Sequence, residues 1–399
     1  MKDQFVVPAR LKTTSFVLLG IGLLTLLIGL FAFQGEHGST RFWAGILQNS
    51  SFFLMVVLAS TFFIGVTTLA HGGWQIAFRR VPEAISMTVP VLGAIMLVVL
   101  GFLIFGNKGH IYHWLHPHGD RILEFKSPFL NAGFVSIASV ITIGLWSLLT
   151  VKLRKMSLAE DKMQLDAEGR KSLIWKGTVW CAGFIVVYAL SMGSTTPWLW
   201  LMSIDAHWFS TMYSWYTFAS TWVSGLSLIA LFVIYLKSKG YLPMVNDEHL
   251  HDLGKFMFAF SIFWTYLWFS QYMLIWYANM PEETVYFQPR VWGVFRPVFF
   301  LNLVINFIAP LLILMKRSSK RNYTLVAFMA GLIIFGHWLD FFQMVMPGTV
   351  KHLNFPWFEL GIGLGFVGLI IYLTANQLAK APLTPKNHPY LKESIIHHT

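Results

Sequence analysis

Ten apolar runs of about twenty residues each, at 13–33, 47–70, 84–105, 130–150, 177–194, 208–236, 256–277, 297–315, 323–346 and 357–378, account for most of this 399-residue chain. Each matches the ~20 residues that a helix needs to cross the hydrocarbon of a bilayer. No water reaches backbone polar groups there, so such a run folds as a helix that satisfies them internally. The expected fold class is an all-α polytopic membrane protein with ten transmembrane helices. Only 12% of the residues are charged, against about a quarter in a soluble domain. No small-residue cleavage site marks the first run as a removable leader, so it is expected to be a retained span. The connections are too short to hide a soluble domain. Function must come from side chains inside the bilayer or from surfaces offered to partner subunits.

The net charge of +11 could point to nucleic acid, but the basic residues lie between the apolar runs. If both termini and the even-to-odd connections share one side, that side carries 22 of the 29 Lys and Arg. The positive-inside rule then makes both termini cytoplasmic. The basic charge is thus an orientation signal, and no nucleic-acid partner is expected. One cysteine, Cys181, excludes Cys-ligated iron–sulfur clusters, structural zinc and covalently attached c-type haem in this chain.

Within the ten runs only Asp340 and Glu359 carry a formal charge. A carboxylate in hydrocarbon is costly and is a functional candidate by default. In the ninth run His337, Asp340 and Gln343 follow one another at three-residue steps, which keeps neighbouring pairs on one helix face. Such a pair suits proton transfer or a hydrogen bond to a quinone oxygen, and it equally suits a structural bond between helices. On the assumed topology, other polar groups fall toward the same outer half. These are Asp205 and His207 before run six, Gln271 in run seven, Glu282 and Glu283 after it, Arg296 with Asn302 and Asn306 at run eight, and Glu359 opening run ten. An outward-facing polar pocket in the C-terminal half is therefore expected.

Run six carries Ser210, Ser214, Thr217, Thr221 and Ser224 at steps of 4, 3, 4 and 3. That stripe lets helices pack closely or lines a proton path. On the cytoplasmic side Ser60, Thr67 and His71 follow the face of run two. His110, His113, His116 and His118 with Asp120 share one connection, where interfacial contact is a simpler account than a metal. No metal site and no covalently bound cofactor are expected in this chain.

Beyond these spacings, FMFAFSIFWTYLWFSQYMLIWYANMPEETVYF (256–287) resembles a signature of the ten-helix NrfD/PsrC-like membrane subunits of alternative complex III. HGGWQIAFRRVPEAI (71–85) and HIYHWLHP (110–117) resemble the F-type of these subunits (ActF) more than its C-type paralogue, and NFPWFELGIGLGFVGL (354–369) fits as well. The resemblance covers essentially the whole chain. It implies one membrane domain of two four-helix bundles, 47–194 and 208–346, flanked by the helices at 13–33 and 357–378. It implies a place in the bacterial inner membrane, in a respiratory quinol:cytochrome c (or other acceptor) oxidoreductase. The partners would be the paralogous membrane subunit, iron–sulfur and c-type haem subunits that carry those cofactors, and a terminal oxidase in some assemblies, with menaquinone or another quinone as the mobile substrate and lipid around the helices. In that family the F-type subunit is associated with proton conduction or with structure, and quinol oxidation is better ascribed to the C-type.

Three expectations follow. The first is a subunit, not catalytic alone, in which Asp340, His337 and their neighbours form a proton path or a quinone-facing pocket, extended inward by His71, Ser214, Thr217 and Thr221. The second is a scaffold with a vestigial pocket. The third is an independent secondary transporter, suggested by the buried acids and many glycines.

Overall fold

The computed structural model describes residues 4–106, 108–117, 119–163, 166–350, 352 and 355–398. Ten long helices follow in chain order: α1 (Ala9–Ala32), α2 (Gly35–Leu69), α3 (Arg80–Phe105), α4 (Ala132–Glu160), α5 (Glu168–Trp200), α6 (Met212–Ser238), α7 (Asp247–Ala278), α8 (Arg296–Leu314), α9 (Tyr323–Thr349) and α10 (Trp357–Ala379). Among the described residues, nine have the length and apolar composition to cross a membrane. The tenth, α7, has 32 residues and reads as less apolar because Trp264, Trp268, Trp276, Tyr266, Tyr272 and Tyr277 replace aliphatic side chains.

Each apolar run lies within one of these helices give or take a few residues, but several helices run on well beyond it. α2 begins at Gly35, α4 continues to Glu160 and α7 starts at Asp247. Hydropathy marks only the bilayer-embedded part, whereas the helix continues into polar surroundings until a cap or turn ends it. Asparagines cap three of the starts: Asn131 Oδ1 accepts from the Phe134 amide, Asn246 Oδ1 from Glu248 and His249, and Asn322 Oδ1 from Leu325. Each satisfies amides that the first helical turn leaves without partners.

Helices α2 to α5 pack in a ring, α2 against α3 and α5, with α4 between α3 and α5. Helices α6 to α9 repeat the arrangement, and the two bundles meet where α2 packs on α6 and α9. Phe52 and Phe341 touch edge to face across that seam at 5.1 Å. Gly225 of α6 lies so close to α2 that a Cβ there would sit 2.5 Å from the Ala59 Cβ. Polar bonds reinforce the seam: Trp338 Nε1 donates to Asn49 Oδ1 at 2.9 Å, and Gln48 Nε2 to the Trp338 carbonyl at 3.2 Å. Interhelical bonds of this kind contribute on average about 0.6 kcal/mol each.

The flanking helices differ in burial. α1 rests almost entirely on α10 and turns Val17, Leu23, Leu24 and Phe31 outward, as a lipid-facing helix would. α10 also packs on α2 and on the start of α3. Its contact with α1 is made by glycines, since a Cβ on Gly22 would lie 2.5 Å from the Gly365 Cα. The first and last described segments meet at one face, where Gln4 pairs with Pro382 and Gln4 Nε2 reaches the Ala379 carbonyl at 3.2 Å. That end is called the terminal face below, and the opposite end the far face.

Candidate functional site

Asp340 sits at the centre of the second bundle, with both carboxylate oxygens engaged. Tyr216 of α6 donates its hydroxyl to Oδ1, and Trp264 of α7 donates Nε1 to Oδ2 at 3.0 Å. His337, one turn earlier on α9, has Nδ1 3.8 Å from Asp340 Oδ2 and 3.0 Å from Ser220 Oγ. Trp264 meets the imidazole edge to face at 5.2 Å. Asp340 and His337 are both fully buried. The His337 Nε2 atom has no partner among the described residues, which leaves one ring nitrogen available for a proton.

Toward the far face, Tyr216 also lines a small cavity of about 20 Å³. Its walls include Gln271, Asn302 and Gln343 from three different helices. Gln271 Nε2, Asn302 Oδ1 and Gln343 Oε1 have no hydrogen-bond partner among the described residues, on side chains no more than 5% exposed. Buried polar atoms rarely go unpaired, and those that do commonly mark ordered water. The volume fits one water, which needs about 10–15 Å³ on this measure, and is far below the ~300 Å³ at which small-molecule pockets begin.

Arg290 closes the far side of this cavity. Its Nε donates to the Gln343 carbonyl at 3.0 Å, Nη1 to the Tyr286 carbonyl, and Nη2 to Asp205 Oδ2 at 3.2 Å. The guanidinium lies 3.5 Å over the Tyr286 ring, which stacks on Trp208 at 3.9 Å. Burial works against the charge of Arg290, but Coulombic attraction to the Tyr286 phenolic oxygen and the Asp205 carboxylate holds its pKa above the usual guanidinium range. Burial, with the charges of Asp205 and Asp340 adding to it, pushes the Tyr286 phenol up to about 12 against the opposing effect of Arg290. Asp205 is half-buried, so a chain of polar groups leads from Asp340 to the edge of the bundle.

The structure thus brings together Asp340, His337, Gln343, Gln271, Asp205 and Asn302. Asn306, also buried, packs against Gly336 beside His337 and has both amide atoms unpaired. The other expected pocket residues lie elsewhere. Glu359 forms a bidentate ion pair with Arg41 of α2, at 3.0 and 3.1 Å, because a carboxylate buried at a helix start needs a cation and Arg41 supplies it. His207 is exposed and pairs with Asp120 at 2.5 Å, in the α3–α4 connection. Arg296 is exposed, with its guanidinium over Phe300, and Glu282 is exposed and Glu283 half-buried beyond α7.

The hydroxyl stripe of α6 is mostly self-satisfied. Thr217 donates to the Tyr213 carbonyl, Thr221 to Thr217 and Ser224 to Ser220, whereas Ser214 Oγ is buried without a partner. On the terminal side, Ser60 Oγ is likewise unpartnered, Thr67 donates to the Phe63 carbonyl, and His71 is an exposed residue with φ of 50° at the end of α2. No group of three His, Cys, Asp or Glu side chains among the described residues could hold a metal, and His118 lies outside the described residues.

Sequence reasoning missed four residues of the site: Tyr216, Ser220, Trp264 and Arg290. Tyr216 and Ser220 are four apart on α6, so they share a face beside the hydroxyl stripe. Trp264 lies within the aromatic segment of run seven. Arg290 follows Pro289 in a wide, π-helical turn (Gln288–Trp292), a kind of turn frequent at functional sites. It also missed a buried cluster in the first bundle, where Glu83 accepts from Arg79, Arg80, Arg154 and Ser157. No protein-family model and no curated protein matches the chain.

Proposed function

We propose that this chain is a membrane subunit of a bacterial respiratory quinol:cytochrome c (or other acceptor) oxidoreductase, of the NrfD/PsrC-like kind, and that its second bundle conducts protons toward the far face. The observation that carries this reading is the line Asp340, Tyr216, amide-lined cavity, Arg290 and Asp205, which joins a fully buried carboxylate to the bundle edge. Asp340 and His337 hold and pass the proton, Tyr216 relays it to water in the cavity, and Arg290 with Asp205 forms the outer mouth. By the positive-inside rule the far face is extracytoplasmic and the termini are cytoplasmic.

The size of the cavity favours water over a quinone ring in this position. Two larger apolar grooves, of about 580 and 380 Å³, are lined almost wholly by apolar side chains, which suits lipid or isoprenoid chains better than a quinone head group. With a single cysteine, the chain relies on partner subunits for iron–sulfur clusters and c-type haem. A scaffold role is the second reading. It is favoured by the self-satisfied α6 hydroxyls and by outward aromatics such as Phe125, Trp175 and Tyr277.

Purification from native membranes through a tag on this chain tests the assignment. Co-purification with c-type haem and iron–sulfur subunits, with quinol oxidation retained, is expected. A lone chain that transports a solute would overturn it.

A further inference from the structure

The first bundle contains a second polar cavity, at the terminal face and separate from the Asp340 site. Its volume is about 60 Å³, and Thr67, Gln75, Ser157, Glu160, Cys181 and His388 are among the residues lining it. On the measure by which one water needs ~10–15 Å³, it accommodates several. Among the described residues three polar atoms on the lining side chains have no hydrogen-bond partner, Thr68 Oγ1, Gln75 Oε1 and Glu160 Oε1, although Gln75 and Glu160 are only 1% and 6% exposed.

Most N–H groups of the nearby guanidiniums are committed elsewhere, although Arg80 Nε is itself buried without a partner among the described residues. Arg79 donates to Glu83 at 3.0 Å and contacts His388 at 3.3 Å. Arg80 serves Glu83, Ser157 and Asp161, and Arg154 serves Glu83 at 2.5 Å. Glu160 Oε1 is therefore left without a donor among the described residues, in a cavity that Gln75 Oε1, likewise without one, also lines. A proton on the carboxyl removes the cost of burying its charge and supplies a donor to the cavity.

We infer that Glu160 is a proton-binding site, loaded from the terminal face through waters that Gln75 helps to hold. The groups facing it are Arg79 just before α3, Arg80 and Glu83 in the first turn of α3, His71 at the end of α2, Cys181 of α5, His388 and Tyr390 of the tail, and Asp161 next to it in sequence. The C-terminal tail forms one wall. Asn387 Nδ2 donates to the carbonyls of Glu160, Asp161 and Met163 at 3.2, 3.2 and 2.8 Å, which ties the tail to the end of α4 beside the cavity.

Infrared difference spectra of the full chain, between mildly acidic and mildly alkaline buffer, test this site. The expected result is a carboxylic-acid C=O band that Glu160→Gln abolishes, that Gln75→Leu shifts in frequency, and that exchanges faster with deuterium in Asn387→Ala. If Glu160→Gln fails to accumulate, the Gln75→Leu shift decides. A band that persists in Glu160→Gln, or that disappears only in Asp340→Asn, overturns the inference without touching the Asp340 proposal. Wild-type spectra with no band sensitive to Gln75→Leu overturn it as well.

Discussion

Tyr216 of α6 donates its hydroxyl to Asp340 of α9, across the middle of the second bundle, and the same tyrosine lines the amide cavity beyond. One side chain thus touches both the buried carboxylate and the space that can hold water. Tyr216→Phe keeps the ring and removes only the hydroxyl. Trp264 still donates to Oδ2, so the loss is that of one bond to a charged group, about 1.5–3 kcal/mol. Thermal unfolding of the purified protein checks that cost, and proton release by the assembled complex should slow in the same variant.

The α6 hydroxyls separate two routes. Thr217→Val and Thr221→Val remove hydroxyls that bond only their own helix, so each should change stability by less than ~1 kcal/mol and leave proton release intact. Ser220→Ala removes the contact to His337 at 3.0 Å and should slow proton release. Parallel proton-release assays of the three variants check this ordering, and the reverse ordering would move the path onto the stripe.

Arg41 and Glu359 hold α2 to α10 and do not belong to the pocket. Glu359→Gln leaves the Arg41 guanidinium without its charge partner in a nearly buried site, and breaking such a pair costs about 3–5 kcal/mol. A lowered unfolding temperature with an unchanged proton-to-electron ratio is expected. His207→Ala, which breaks only an exposed pair with Asp120, should leave the unfolding temperature essentially unchanged, because solvent screens such a pair.

The tail should respond to pH through His388. Burial, with the charge of Arg79 adding to it, lowers the pKa of this imidazole from 6.5 to about 3. A lowered histidine pKa means that the released tail binds more protons than the docked one, so docking is favoured above pH 6.5 and weakens as pH falls toward 3. Hydrogen exchange of residues 381–398 should rise across that window, and His388→Asn should flatten the dependence.

How far the sequence spoke for the structure depends on range. The ten helices were legible because twenty apolar residues have few other options, and the His337, Asp340 and Gln343 register because helical spacing is local. Tyr216 and Ser220 were not, since the neighbouring hydroxyls made the more regular pattern. Arg290 was hidden in a connection after Pro289, where no periodicity survives. The partner of Glu359 was out of reach for another reason: Arg41 lies 318 positions away, and a pairing over that distance leaves no mark in local spacing.

The central claim is tested most directly by Asp340→Asn in the assembled complex, with quinol oxidation and proton release per electron measured on the same preparation. Asparagine keeps the size of the side chain and cannot carry the proton. The account predicts continued quinol oxidation with proton release per electron lost or sharply reduced. Unchanged oxidation together with unchanged proton release would contradict it.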